Sequence, residues 1–430
     1  MLSATAGALL AVSLVSTPLM QAKLSPQEAK VFKSGERIAS GDNLQLPKLN
    51  RPVNILVLGI KVLTSDLDEP PEVDLGYHAL VNSFEGLSDT MLLLRFDPRS
   101  QKLVALSIPR DTRSWVEGYG MRKINVANEF GGPAMSATSV KDLLGGVEID
   151  RYIRVNIKAV EKLIDALGGV TVYVPYDMKY QDDSQHLYIN LKAGEQHLNG
   201  DRALQFLRFR NNYLGDIGRI QRQQILMRAL MDQTINPQII PRLPKIMEVI
   251  ESDIDTNLSI EELLALVKFA SHTDRSKIQM LLTPGRFSDP KEYKVSYWLP
   301  DYHSIDQMMH QHFDFGDRAS ESEEIDPAYL RVAVQDSTED WAAVDDFIDT
   351  MYDEGYSNIY VSGSWTEPLE VTRIIAQYGD IDSAKAIRRR LGFGEVRVES
   401  IGHLESDVTI QLGRDWLAIK NELLRQSDAW

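Results

Sequence analysis

The chain has 430 residues, a formal net charge of −16 and no cysteine. That excludes a disulfide framework, a thiol nucleophile and a cysteine metal site, and it disfavours a general affinity for nucleic acid, which needs a broad basic face. With 43% apolar and 25% charged residues, the composition is that of a globular protein long enough for two domains.

Residues Leu2 to Met20 are apolar or small and uncharged, about the length that crosses a bilayer. A signal segment over 1–22 is one reading, but Met20-Gln21-Ala22 is a poor small-x-small cleavage site, so we expect a membrane anchor there, with the bulk of the protein outside the cytoplasm, on the periplasmic or cell-wall side. Lys23 to Leu49 is polar and reads as a spacer. Val53 to Leu58, ended by Gly59, is a short apolar run expected to form a buried strand. A long acidic loop follows, with Asp66, Asp68, Asp74 and Pro70-Pro71. Loops of that length are uncommon unless functional.

Thr90 to Phe96 and Leu103 to Ile108 are apolar strands separated by Asp97-Pro98-Arg99-Ser100, a turn that pairs them as a hairpin. Helices are expected around Ala134 to Leu144 and Ile157 to Leu167, a strand over Val170 to Val174, and helix across most of 235–275, where Ser259 and Glu262 form a capping box. Strands and helices so mixed predict an α/β fold: an α-β-α sandwich around a mixed sheet over 50–315. The acidic stretch Arg318 to Pro327 lies in the best linker, 316–327. A smaller α/β domain over 328–430 follows, with strands at Leu330–Val334, Asn358–Val361, Glu395–Glu399 and Asp407–Leu412. Helices are expected there at Trp341–Tyr352, Pro368–Tyr378 and Ser383–Leu391.

The chemistry concentrates in three places. Ser88-Asp89-Thr90 sets a carboxylate where a loop enters a strand, a position suited to Mg²⁺ shared with phosphate oxygens. Ser107 to Thr112 (SIPRDT) sets Arg110 and Asp111 at a strand end, where ligands bind in open α/β sheets. Arg122-Lys123-Ile124-Asn125 and Gly131-Gly132 follow, adding positive charge and a turn.

The third place is Leu198 to Gln224, where Arg202, Arg208, Arg210, Arg219 and Arg222 face only Asp201 and Asp216, against the charge of the whole chain. Asn199 can cap a short helix carrying Arg202. Gln205 to Arg210 alternates like a strand, which would point Arg208 and Arg210 to one face. Asp216 can cap a second helix with Arg219, Arg222 and Gln223 on one side. The planar guanidinium fork fits phosphate oxygens, so the cluster is a candidate phosphate or pyrophosphate site; a solvated, salt-bridged surface is the plain alternative.

SDTM, SIPRDT, KIN…GG and LNG…ALQFLRFR…D.GRIQRQQ occur in the order and spacing of the LytR–CpsA–Psr family, and residues 50–235 resemble it. Residues 328–415 look like the LytR C-terminal domain. The resemblance implies a membrane-anchored, Mg²⁺-dependent phosphotransferase with a hydrophobic slot for a polyprenyl tail. Such an enzyme moves a glycopolymer from a polyprenyl-pyrophosphate carrier to peptidoglycan through a phosphodiester. It implies Asp89 as the metal ligand, Arg110, Arg208, Arg210 and Arg219 as pyrophosphate arginines, Lys123 and Gln223 as further phosphate-binding residues, and Asp216 as a catalytic residue. Arg110 would stabilise the transferring phosphoryl, and Asp111 or Asp216 would be the general base. Where the family often has an acid after the first Gly-ending strand, this chain has Ile60-Lys61, and Leu87 stands where Arg often precedes SDT. Asp66, Asp68 or Asp74 would then supply a second ligand, or the metal would bind more weakly. Two other functions stand beside this one: a polyprenyl-pyrophosphate binding or hydrolysing protein, and a transcriptional attenuator.

Overall fold

The computed structural model describes residues 24–33, 36–41, 47–61, 84–183, 187–209, 215–235, 241–316 and 326–427. The expected anchor and most of the acidic loop, with Asp66, Asp68 and Asp74, lie outside the described residues, as does most of the linker.

The larger domain is built on a six-stranded mixed sheet. Its strands are β1 (Val53–Lys61), β2 (Leu87–Asp97), β3 (Lys102–Ile108), β4 (Arg151–Asn156), β5 (Ile254–Thr256) and β6 (Ile278–Leu282), in the order β5-β4-β1-β2-β3-β6. β1–β4 and β3–β6 are parallel; β2 lies antiparallel to both β1 and β3. The hairpin read from its turn is therefore present, with Met91 opposite Ile108.

Helices cover both faces because successive apolar side chains of the central strands point to opposite sides. Leu56, Leu58, Met91 and Leu93 pack against α1 (Val126–Leu143), while Val53, Ile55 and Phe96 pack against the other layer. That layer contains α2 (Ile157–Leu167), α3 (Gly200–Arg208), α4 (Gly215–Ile235), α5 (Leu243–Asp253) and α6 (Ile260–Ser271). A last helix, α7 (Tyr302–Phe313), joins the α1 side. The architecture is the expected α-β-α sandwich with a second α/β domain.

Several local expectations are corrected. The stretch read as a spacer is packed: Phe32 and Ile38 are buried, and Ala39–Ser40 pairs with Lys48–Leu49. Gly131-Gly132 is a kink inside α1, with Gly132 at φ +62° ahead of Pro133. The 235–275 region is two helices separated by β5, whose three residues are all buried against β4. The capping box of Ser259 and Glu262 opens α6 as expected.

The second domain carries a five-stranded sheet of β7 (Val332–Asp336), β8 (Ile359–Ser364), β9 (Arg373–Ala376), β10 (Glu395–Val398) and β11 (Val408–Leu412), ordered β8-β7-β11-β9-β10. The helix expected at Pro368–Tyr378 is instead β9. Ile374, Ile375 and Ala376 are wholly buried there, and β-branched residues suit a strand covered on both faces. The cores of the two domains join, Phe313 of α7 belonging to the same apolar cluster as Ile374 and Ala376.

Candidate active site

The antiparallel β2 starts where the parallel strands β1, β3 and β4 end, so one edge of the sheet collects their termini. Asp89 and Thr90 stand there on β2, Arg110 and Asp111 just past β3. Pro109 ends the pairing, and its carbonyl accepts from the Thr112 amide at 2.9 Å and hydroxyl at 2.6 Å, so the turn holding Arg110 is pinned. Gly59 is required by close approach: a Cβ there would lie 2.9 Å from the Thr90 Cβ.

Arg110 donates to Asp89 at 2.7 Å and stands 3.9 Å from Asp111, which in turn forms an ion pair with Lys123 at 3.0 Å. These four residues make an alternating charge chain at the mouth of a cleft. From the helical layer, Arg219 and Gln223 on α4 line the same cleft. Gln223 donates to the Thr90 hydroxyl at 3.1 Å, tying α4 to β2.

The cleft has two lobes that share Asp89, Arg219 and Gln223. The first runs along Arg110, Asp111 and Trp298. The second, about 790 Å³ with its open mouth, passes Thr90 and Arg208 and is walled by Ile60, Val155, Ile157, Val160, Leu204 and Leu207. The cleft gathers three arginines with two aspartates, and its second lobe adds a greasy wall, an arrangement that could take an amphiphile with an anionic head. One terminal nitrogen of Arg208 is buried with no hydrogen-bond partner among the described residues. A buried donor left so is costly unless a ligand satisfies it.

The structure sorts the arginines. Arg110, Arg208 and Arg219 converge; Arg210 lies outside the described residues, as does the Asp216 side chain. Helix α4 starts at Gly215, which puts Asp216 in its first turn and not at its cap. Asn199 does cap α3, accepting from the Arg202 amide at 3.1 Å, but Arg202 donates to Gln196, away from the cleft. Arg208 closes that helix, and the strand expected over 205–210 does not form: Ala203 and Phe206 are both buried, at helical spacing. Arg222 turns the other way. It is buried, donates to the Phe209 carbonyl and sits 5.8 Å over the Phe209 ring. Burial lowers its pKa from the ordinary arginine value. Lys123 serves Asp111 and lies 5.9 Å over the Tyr297 ring; it does not line the cleft.

Among the described residues no group of three His, Asp or Glu side chains could hold a metal ion. Asp89 fits a site that is completed by ligand oxygens. Asp89 meets Arg110 through Oδ1, and Mg²⁺ is commonly held by one or two carboxylates plus phosphate.

The sequence profile of the LytR_cpsA_psr family matches residues 20–314. The chain belongs to the LytR–CpsA–Psr family. A second profile, described as LytR cell envelope-related transcriptional attenuator, matches 329–416. The chain is 32% identical over 241 residues to Bacillus subtilis TagV, named a polyisoprenyl-teichoic acid–peptidoglycan teichoic acid transferase; the match covers 54% of this chain and 61% of that one. It is 35% identical over 230 residues to TagU of Oceanobacillus iheyensis, which carries the same functional name, covering 52% and 64%. The alignments thus span less than two thirds of these relatives. The crystal structure of B. subtilis TagV superposes with a TM-score of 0.51 at 30% identity, covering 62% of this chain and 99% of that one.

Sequence reasoning about this LytR–CpsA–Psr member missed Thr90 as a partner of Gln223, and it missed Trp298, which no local pattern marks. The greasy lobe was expected only as the family's slot. Its own trace was the apolar stripe of α3, with Leu204 and Leu207 three residues apart.

Proposed function

We propose that this LytR–CpsA–Psr protein transfers a glycopolymer from a polyprenyl-pyrophosphate carrier to peptidoglycan, leaving a phosphodiester. The observation that carries this reading is the two-lobed cleft: a guanidinium-lined head continuous with an apolar slot. The resemblance to two proteins named as teichoic acid transferases supports the same chemistry.

Arg208 and Arg219 hold the pyrophosphate at the junction of the lobes, with Gln223 beside them. Arg110 stands over the transferring phosphoryl and balances charge that builds on its oxygens. The acceptor hydroxyl, the C6 hydroxyl of a muramic sugar, enters along the lobe of Asp111 and Trp298. The bond from acceptor oxygen to phosphorus forms, the bridging bond to the lipid phosphate breaks, and polyprenyl phosphate leaves. Of the two acids considered as base, Asp111 lines the cleft and is placed to take the hydroxyl proton. Lys123 orients Asp111. When Mg²⁺ is bound it neutralises phosphate charge, and Asp89 is the residue that would hold it.

The reading places the protein on the outer side of the cell membrane, held by residues 1–22. No helix among the described residues is long and apolar enough to cross a membrane. The deciding experiment is transfer of a lipid-linked glycan to peptidoglycan by wild-type, Arg110→Ala and Arg208→Ala proteins. Equal rates in all three would end the proposal. Release of polyprenyl phosphate without any acceptor would favour the hydrolase reading. Retarded DNA in a gel shift at physiological salt would favour the attenuator named in the C-terminal profile.

A further inference from the structure

Helix α4 carries two neighbouring stripes. Arg219 and Gln223, four residues apart, face the cleft. Ile220, Gln221, Gln224 and Arg228 stand about 100° or more round the helix and meet the C-terminal domain. Gln221 donates to the carbonyls of Ile401 at 3.1 Å and Gly402 at 3.0 Å. The Ser400 amide donates to Gln224 at 3.2 Å, and Arg228 pairs with Glu399. Leu404 joins Ile220, Leu282 and Trp298 in one apolar cluster, and those last three line the cleft.

The loop making these contacts is itself held. The Ser400 hydroxyl donates to the Gln377 carbonyl at 2.8 Å, Gln377 donates to the Thr409 hydroxyl at 2.8 Å, and the His403 amide donates to that same hydroxyl at 2.9 Å. A Cβ at Gly402 would collide with Gln377 and Thr409. Glu399 is fully buried, and its carboxylate meets the Arg228 guanidinium. Besides Arg397 of its own domain, its cation is Arg228 of the other domain. A buried carboxylate needs such a partner, so charge as well as shape specifies this docking.

We propose that residues 399–404 of the C-terminal domain are a positioning element for the active site. By gripping one stripe of α4 they set where Arg219 and Gln223, on the next stripe, stand. This rests on the reading of the cleft as a pyrophosphate site, and it gives the C-terminal domain a role in binding the lipid-linked substrate.

The test uses the full chain and two probes, geranylgeranyl pyrophosphate and the headless alcohol geranylgeraniol. Arg228→Met and Gln221→Ala should weaken pyrophosphate binding on the order of tenfold, the scale of ordinary site-to-site coupling, and leave the alcohol unchanged. Arg228→Lys should recover much of the loss. A merely structural defect would weaken both probes alike and would overturn the proposal, as would wild-type pyrophosphate affinity in both variants while Arg219→Ala loses it. Wild-type affinity in Arg219→Ala would instead sink the site reading and this inference with it. If Arg228→Met does not fold, Gln221→Ala, which deletes only two hydrogen bonds, decides alone.

Discussion

Arg110 and Asp89 are bound to each other at 2.7 Å, and both are only partly exposed, at 23% and 22% of their side-chain surface. Neither stands adjacent in sequence; the antiparallel pairing of β2 and β3 brings them together. The pair is self-neutralising. A pyrophosphate and a cation together would take over both partners, each satisfying the group the other releases.

Arg110→Ala should therefore lower glycan transfer by a factor on the order of 10²–10³, the cost of deleting one donor aimed at developing charge. Stopped assays with a lipid-linked glycan and peptidoglycan measure it. The lost donor should appear in kcat more than in KM, since Arg208 and Arg219 remain to hold the substrate.

The metal role proposed for Asp89 predicts that EDTA abolishes transfer and that Mg²⁺ restores it. Asp89→Ala should stay inactive at any Mg²⁺ concentration. Activity of the wild-type protein in excess chelator would refute a cation in the reaction.

The apolar lobe predicts a separation of head from tail. Val160→Trp adds bulk to a wall formed with Ile157, Leu204 and Leu207. Affinity for geranylgeranyl pyrophosphate should fall by roughly five- to 150-fold, because steric overpacking of this kind typically costs about 1–3 kcal/mol. Affinity for inorganic pyrophosphate should hold. Titration calorimetry with the two ligands distinguishes the outcomes.

Arg151 and Glu262 form a buried pair at 2.6 Å, with side chains 4% and 11% exposed. Glu262 also accepts from the Ser259 amide at 3.0 Å to start α6. Removing one partner strands the other charge, so Glu262→Ala should cost about 3–5 kcal/mol in urea unfolding. A shift of the midpoint within error of wild type would contradict this account of the pair.

His312 on α7 is buried between the domains, its Nε2 2.9 Å from the Gly379 carbonyl and its Nδ1 2.8 Å from the Gln279 amide. Burial, with Lys102 nearby, pushes its pKa down from 6.5 to about 4. Between those values the unfolded chain binds a proton that the folded chain refuses. Stability from this group is fully present above pH ~6.5 and falls as pH drops toward ~4, by roughly 3 kcal/mol in total. Unfolding midpoints of His312→Gln should vary less across that window than those of the wild type.

Local chemistry was readable where neighbours in sequence are the partners. The Asp97–Ser100 turn, the Asn199 cap and the Ser259–Glu262 box all act within four residues, and each is present. The α-β-α class was readable too, because apolar runs covered on both faces admit few other arrangements. The register of the arginine-bearing motifs marked a candidate anion site.

Tertiary structure alone decided which of those arginines share a cleft. Arg219 and Arg222 are three residues apart on one helix, yet one turns to the cleft and the other is absorbed by Phe209. Burial likewise turned Pro368–Tyr378 from a plausible helix into the strand β9, since a sheet interior rewards the β-branched face that a helix would leave half exposed. The hydrogen bonds by which residues 400–402 grip α4 join positions 176–181 apart, a separation over which no sequence period carries information. Hydrogen bonds and periodicity act locally, so a chain announces its turns, caps and faces. Packing acts between distant segments, and only the assembled layers determine which faces meet.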